Sequence, residues 1–157
     1  MLDFIPMTSA QYDSWSQASV AGYAEENVAS GWWTREEALP NSRQEFAKLL
    51  PNGLATPENY LFSIVDDEEP GPVGVIWFAV LWEGMRRHAF VYDFQIFEAY
   101  RRKGYGIRAL ERLDECVREM GLNVISLHVF AHNRAARDLY GKAGYRETNV
   151  IMSRELP

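Results

Sequence analysis

Ten residues, Val73 to Trp82, run as Val-Gly-Val-Ile-Trp-Phe-Ala-Val-Leu-Trp with no polar side chain except the indole N–H groups. The run is far too short to span a bilayer as a helix. Turn signals bound it: Pro70-Gly71-Pro72 before and Glu83-Gly84-Met85 after. β-branched and aromatic residues dominate it, so it reads as a central strand buried on both faces. Such a strand needs partners on both edges and cover on both faces. The rest of the chain must supply a sheet and the helices that enclose it.

The flanking sequence supplies both. Tyr60 to Val65 and Ala89 to Phe97 complete an antiparallel meander with the central run. Leu2 to Met7 reads as an opening strand. Thr8 or Ser9 can cap a helix that runs toward Ser30, with Gly31 as its stop. A second helix follows at about Thr34 to Leu50, and Thr34-Arg35-Glu36-Glu37 has capping-box spacing. Pro40 falls inside it, which allows a break into two pieces. After the meander, Ile107, Leu110, Leu113, Val117 and Met120 form one apolar stripe on a helix at about 104–120, stopped by Gly121. A strand is expected at Asn123 to Phe130, then a helix at about Asn133 to Lys142 with Asn133 as N-cap. Tyr145 to Ser153 supplies one last strand or two short ones. No linker or repeat divides the chain. The expectation is a single α/β (α+β) domain over 1–157, with a mixed, largely antiparallel sheet of six to seven strands and about four helices.

Composition narrows the setting. The single cysteine, Cys116, excludes an internal disulfide framework and fits a reducing cytoplasm. The first residues lack the basic and apolar regions of a signal peptide. Net charge is −6, but residues 1–100 carry five Lys/Arg against fifteen Asp/Glu, while residues 101–157 carry eleven against seven. An anionic ligand is favoured in the second part and a cationic one in the first. An acidic whole argues against a dedicated nucleic-acid binder, and no stretch argues for membrane association.

The basic part begins at Arg101-Arg102-Lys103-Gly104-Tyr105-Gly106, between a strand and the amphipathic helix. Two glycines let backbone N–H groups approach a ligand, and the helix start adds unpaired donors and a positive dipole end. This describes a pyrophosphate cradle. The P-loop pattern fails, because Lys103 precedes the glycines and Ile107-Arg108 follow them. Gly104-x-Gly106-x-x-Ala109 formally matches the dinucleotide fingerprint. That reading needs an acid at the end of the next strand, and Asn123 to Phe130 contains none.

Arg101-x-x-Gly104-x-Gly106 after a strand resembles the acetyl-CoA-binding motif of the GCN5-related N-acetyltransferase (GNAT) family. A second motif stands at the family's spacing: Leu127-x-Val129, then Asn133-x-x-Ala136-x-x-x-Tyr140, then Gly144-Tyr145. Segment 90–146 carries both motifs. The first 70 residues resemble the family only in their helix–helix–strand layout. The resemblance implies acetyl-CoA as acetyl donor. Its pyrophosphate would lie on backbone N–H groups from Arg102 to Ile107, including those of Lys103, Gly104, Tyr105 and Gly106, with Arg101, Arg102 and Lys103 adding charge. Its pantetheine arm would lie between splayed strands, against Phe94, Ile96 and Phe97 on one side and Val129 and Phe130 on the other. Asn133 and Ala136 would lie beside the arm, and Tyr140 near the sulfur. Glu98 stands where many relatives have proline, and Arg102 where many have glycine. The mid-strand glutamate that some relatives use as a base has no clear counterpart.

Acetyl transfer to an amine requires removal of an amine proton, stabilisation of an oxyanion and protonation of a thiolate. Tyr140 is the candidate acid. Asp93 is the candidate base, because it interrupts the apolar strand Phe90-Val91-Tyr92-Asp93-Phe94 where an unpaired carboxylate is costly. The competing account pairs Asp93 with Arg86, Arg87 or a turn amide; Glu83, Tyr92 and His128 are rivals for the base. His128 and His132 do not share a face and have no further ligands, so no metal site is expected. The helices of residues 1–58 would form the acceptor side, with Tyr23, Glu25, Glu26, Trp32 and Trp33 making an acidic, aromatic pocket. The expected activity is direct transfer of acetyl to a primary amine of a small molecule or peptide. The alternatives are a CoA-binding regulatory module without turnover and a protein or nucleic-acid interaction domain. A homodimer is compatible with the chain.

Overall fold

The computed structural model describes all 157 residues. The sheet contains strands β1 (Leu2–Pro6), β2 (Asn59–Asp66), β3 (Gly74–Glu83), β4 (Arg86–Ile96) and β5 (Ile125–Leu127), in that spatial order. The first four are antiparallel, and β5 is parallel to β4. Helices α1 (Ser9–Ala29) and α2 (Arg35–Leu49) connect β1 to β2. Helices α3 (Tyr105–Glu119) and α4 (Arg134–Lys142) flank β5 in sequence.

The long apolar run becomes the centre of the sheet. Val73, Ile76, Trp77, Phe78 and Ala79 are all at most 1% exposed. Ile76, Phe78 and Val80 share one core with Val91 of β4 and with Ala109, Leu110, Leu113 and Val117 of α3. Val75 and Trp77 face a second cluster with Trp15 of α1, flanked by Phe46 of α2. Two helical layers therefore clamp one strand, as its all-apolar sequence demands. Each large side chain fully buried here contributes about 1.5–3 kcal/mol. The burial stops short of the end of the run, because Trp82 is 67% exposed on the β3–β4 hairpin. Gly74 sits at a close approach of strands: a Cβ there would lie 2.3 Å from the Gln95 carbonyl oxygen.

Local signals set the helix ends. Thr8 and Gln11 form a reciprocal capping box on α1, and Thr34 and Glu37 form another on α2. Pro40 does not divide α2. Glu36, whose carbonyl loses its bond to the missing Pro40 N–H, is exposed, so water can take the freed acceptor. Asn133 caps α4, accepting a bond from Ala136 N–H at 3.2 Å. Helix α3 carries the predicted stripe and is anchored at its start by Arg108, which donates to the buried Asp66 carboxylate at 2.5 Å. The Glu68 N–H and Arg108 together hold the Asp66 carboxyl below its ordinary range.

The sheet has five strands, not six to seven. Two expectations account for the difference. The strand at 123–130 is paired only over Ile125–Leu127, because its continuation turns away from β4. The final strand at Tyr145–Ser153 does not form; residues 146–157 are exposed throughout and join no ladder.

Candidate active site

The site begins with a β-bulge. Trp77 of β3 pairs with Asp93, but Phe78 pairs with Val91, so Tyr92 is an extra residue on β4. Strict alternation would put Val91 and Asp93 on one face. The bulge reverses the pattern: Val91 and Phe94 pack toward α3 and α4, while Tyr92 and Asp93 turn toward α1 and α2. Tyr92 stacks on Trp77 at 4.5 Å between ring centres.

Asp93 thereby reaches across to α1. Trp15 Nε1 donates to its carboxylate at 2.7 Å and Ser19 Oγ at 3.2 Å. These bonds, not a pairing with Arg86 or Arg87, hold the carboxyl. Burial pushes its pKa up, and the Trp15, Ser19 and Phe94 donors restrain the shift. Glu26, one helical face further along α1, is also pushed up by burial, with His132 opposing and Asp93 adding to the shift. Two carboxyls biased toward protonation thus face one cavity.

The second element of the site is a gap in the sheet. β4 and β5 pair from Ala89–Ile125 to Val91–Leu127 and no further. Beyond that point a cavity of about 320 Å3 opens between them, lined by Tyr92, Asp93 and Phe94 on one strand and His128, Val129 and Phe130 on the chain leaving the other. It continues into a cleft of about 790 Å3 that reaches Arg101, Arg102, Gly104, Gly106 and Ile107. Tyr23, Glu26, Asp93, Phe94, Asn133 and Tyr140 line both.

At the far end of the cleft, α3 begins without a side-chain cap. The other three helices each have one. The first backbone bond of α3 outside its regular ladder is Arg108 N–H to the Gly104 carbonyl, at 3.3 Å, which leaves the N–H groups of its opening turn free for a ligand. Gly104 has φ 83°, a left-handed conformation that glycine takes without strain. Arg102 adopts φ 61° despite its side chain, a conformation uncommon outside glycine. Gly106 has a packing role: a Cβ there would meet the Leu139 side chain at 3.0 Å. An uncapped helix start, basic side chains and a long cleft fit a cofactor with a phosphate-bearing end and a slender arm.

Tyr140 stands where the cleft and the cavity meet. Its ring lies 6.4 Å from Phe94 and 5.6 Å from Tyr145, centre to centre. Burial, with Asp93 and Glu26 adding, pushes its phenol up to about 12. The phenol is therefore protonated at neutral pH, as a proton donor must be.

Most of the predicted residues converge. Phe94, Ile96, Arg101, Arg102, Gly104, Gly106, Ile107, Val129, Asn133, Ala136 and Tyr140 line the cleft or the cavity, as do Asp93, Tyr23 and Glu26. Phe97, Lys103 and Tyr105 do not. Phe97 packs on the core beside Trp77, Lys103 lies over the Tyr100 ring at 5.6 Å, and Tyr105 is buried with its hydroxyl on Glu69. Trp32 and Trp33 also lie outside the lining: Trp32 is 56% exposed, and Trp33 packs edge-on against Tyr23 at 5.5 Å. The aromatic wall comes instead from Phe46, Trp77, Phe90 and Tyr92. Sequence reading missed this wall because no local motif joins α2 to the bulge; only the polar Asp93 inside an apolar strand marked the place.

Comparison with known proteins agrees with this geometry. The model of the acetyltransferase (GNAT) family matches residues 23–145. The chain is 44% identical over 151 residues to the uncharacterized N-acetyltransferase YycN of Bacillus subtilis, covering 96% of both chains. It is 37% identical over 150 residues to YdgE of the same organism, covering 96% of this chain and 95% of that one. The crystal structure of YycN superposes with a TM-score of 0.95, at 42% identity over 100% of this chain and 99% of the other. An aminoglycoside 6'-N-acetyltransferase of Acinetobacter baumannii shares the fold at a TM-score of 0.57 and 13% identity, over 100% of this chain and 99% of that one. With both motifs on one cleft and relatives matched over nearly their whole length, the chain belongs to the GNAT family of acetyltransferases.

Proposed function

We propose that this protein transfers an acetyl group from acetyl-CoA directly to a primary amine of a small molecule or peptide. The observation that carries this reading is the continuous opening from the uncapped start of α3, through the gap between β4 and β5, to Tyr140 and Asp93. Acetyl-CoA supplies an acetyl group already activated as a thioester. The backbone N–H groups that open α3, with Arg101 and Arg102, hold its phosphates. The unpaired edges of β4 at Phe94 to Ile96 and of the chain at Val129 bind the arm, with Asn133 and Ala136 beside it. The carboxamide oxygen of Asn133 is engaged in capping α4, so its NH2 group is the part free to bind.

Tyr140 holds a proton on its phenol oxygen for delivery to the leaving sulfur. Asp93 accepts the proton of the incoming amine, directly or through water. Its bonds to Trp15 and Ser19 fix the carboxyl against α1, a stable platform for that role. Tyr23 and Glu26 line the acceptor side, where a carboxyl and aromatic rings favour an ammonium or amine group. The apolar lining from Phe46, Phe90 and Phe130 limits water at the reacting centre.

The decisive measurement is thermal-shift titration with acetyl-CoA, CoA and NAD, followed by thiol release across a panel of amines. Saturating stabilisation by the two CoA species is expected, with thiol release that depends on an amine. Stabilisation by NAD alone would sink the reading. CoA binding with no thiol release on any amine would favour a regulatory module.

A further inference from the structure

Helix α4 is short, and Tyr140 stands near its end. The helix has nine residues and buries none of them fully. A helix of that length is marginal on its own, and its last carbonyls have no intrahelical donor. Tyr140, Gly141 and Lys142 are its final three residues. If the last turn frays, Tyr140 frays with it, and its phenol leaves the junction of cleft and cavity. Whatever closes that turn therefore decides where the phenol stands.

The residues that follow the turn close it. Gly144 adopts φ 91°, the left-handed conformation that often ends a helix. Its N–H donates to the Gly141 carbonyl at 3.1 Å, and Tyr145 N–H donates to the Tyr140 carbonyl at 2.9 Å. These are the two bonds of a Schellman cap, which an apolar contact between the residues of the longer bond commonly accompanies. Here that contact is Tyr145 against Tyr140, 5.6 Å between ring centres. One residue thus holds Tyr140 twice, by its carbonyl and by its ring. The Tyr145 hydroxyl is buried with no hydrogen-bond partner. An unpaired buried hydroxyl is a cost, so the ring is the part this position uses. Arg137 binds Glu147 at 2.6 Å and ties the chain beyond the cap back to α4.

We propose that Tyr145 is the positioning residue for Tyr140, and that the cap at Gly144 aims the Tyr140 phenol at the reacting sulfur. The stop of α4 and the placing of the acid are then one device. Tyr145 lines neither the cavity nor the cleft, so it acts through Tyr140 and not on a ligand. Phe94 of β4 gives the Tyr140 ring a second aromatic contact, at 6.4 Å, so the ring is bounded by a strand and by its own helix cap. The inference rests on the reading of Tyr140 as proton donor. Misplacing a reacting group by about 1 Å can cost about a hundredfold in rate. Slack in the last turn of α4 is therefore felt as lost turnover, while the start of α3 keeps its grip on the cofactor.

Steady-state kinetics on two substitutions at position 145 test it, with circular dichroism as the check on folding. Tyr145→Ala should lower kcat on the order of ten- to a hundredfold. Its acetyl-CoA affinity by calorimetry should stay within about twofold of the parent's. Tyr145→Phe keeps the ring and drops only the unpaired hydroxyl, so it should turn over like the parent. A residue that acts only through Tyr140 has nothing to lose once that phenol is gone. In a Tyr140→Phe background, Tyr145→Ala should therefore change the residual turnover by less than about twofold. Gly144→Ala serves where Tyr145→Ala does not fold: it keeps both rings, meets nothing within 4 Å and strains only the cap. Its kcat should fall with acetyl-CoA affinity unchanged. Parent-like kcat in Tyr145→Ala or, where that variant does not fold, in Gly144→Ala would overturn the proposal. So would a Tyr145→Phe as slow as Tyr145→Ala, or an equal loss in the Tyr140→Phe background. If Tyr140→Phe alone leaves turnover unchanged, the acid reading fails and the positioning role with it. If Tyr140→Phe is slow while Tyr145→Ala is not, only the positioning role fails.

Discussion

The two ends of the cleft are built in opposite ways. At the donor end of the proposed pose, one contiguous stretch, Arg101 to Ile107, supplies an uncapped helix start, and the backbone would do the binding. At the acceptor end, side chains from α1, α2, β3 and β4 converge on a bulge, and Trp15 reaches Asp93 across 78 positions of sequence. Backbone N–H groups are the same whatever the side chains, so the donor end can hold a constant ligand while sequences diverge. The acceptor end changes with every side chain, and so is the part that can differ between relatives of the same fold.

This contrast can be tested by substitution. Tyr140→Phe removes the proton at the junction of the two ends. Turnover should fall on the order of a hundred- to ten-thousand-fold, while acetyl-CoA affinity by calorimetry stays unchanged. Unchanged turnover would remove Tyr140 from the chemistry. Asp93→Asn should slow turnover by at least about a hundredfold and alter the pH profile. Burial raises the Asp93 pKa, so the parent enzyme should lose kcat/KM as pH falls through a value above the ordinary carboxylate range. The variant should lose that limb and keep only the acceptor's own titration. If both profiles coincide, Asp93 is only an anchor for α1.

Smaller effects should separate the ends further. Gly104→Ala puts a Cβ at φ 83°, at a cost of about 1 kcal/mol. If that strain weakens the cradle, acetyl-CoA binding falls about fivefold, with KM for the amine unaffected. A change in the amine KM alone would mean that the two ends are not separable. Trp32→Ala should leave both constants within about twofold, since exposed side chains away from a site have little effect. A large rise in the amine KM would bring Trp32 back into the acceptor pocket.

Legibility in the sequence followed the same division. Helix caps at Thr8, Thr34 and Asn133, the stripe on α3 and the meander were readable because each depends on residues close in sequence. The glycine loop that opens α3 was readable for the same reason. Asp93 could be noticed but not placed, because its partners on α1 meet it only after a bulge whose extra residue, Tyr92, leaves no local mark. Trp32 and Trp33 were expected in the pocket from their place between the first two helices, the acceptor side that the family resemblance implies, but neither lines the cavity or the cleft. The final strand was expected from its β-forming residues, yet a strand needs a partner, and within one chain Val150 to Met152 has none.

The bare start of α3 has a consequence for how this protein behaves when empty. Its opening amides lack the side-chain acceptors that protect the corresponding turns of α1, α2 and α4. They should therefore exchange hydrogen with solvent fastest of the four helix starts, and slow sharply when a phosphate arrives. A ligand there would also act as the missing cap, so occupancy of the cleft would become part of the stability of the helix that contributes five of the fifteen residues of the larger core cluster.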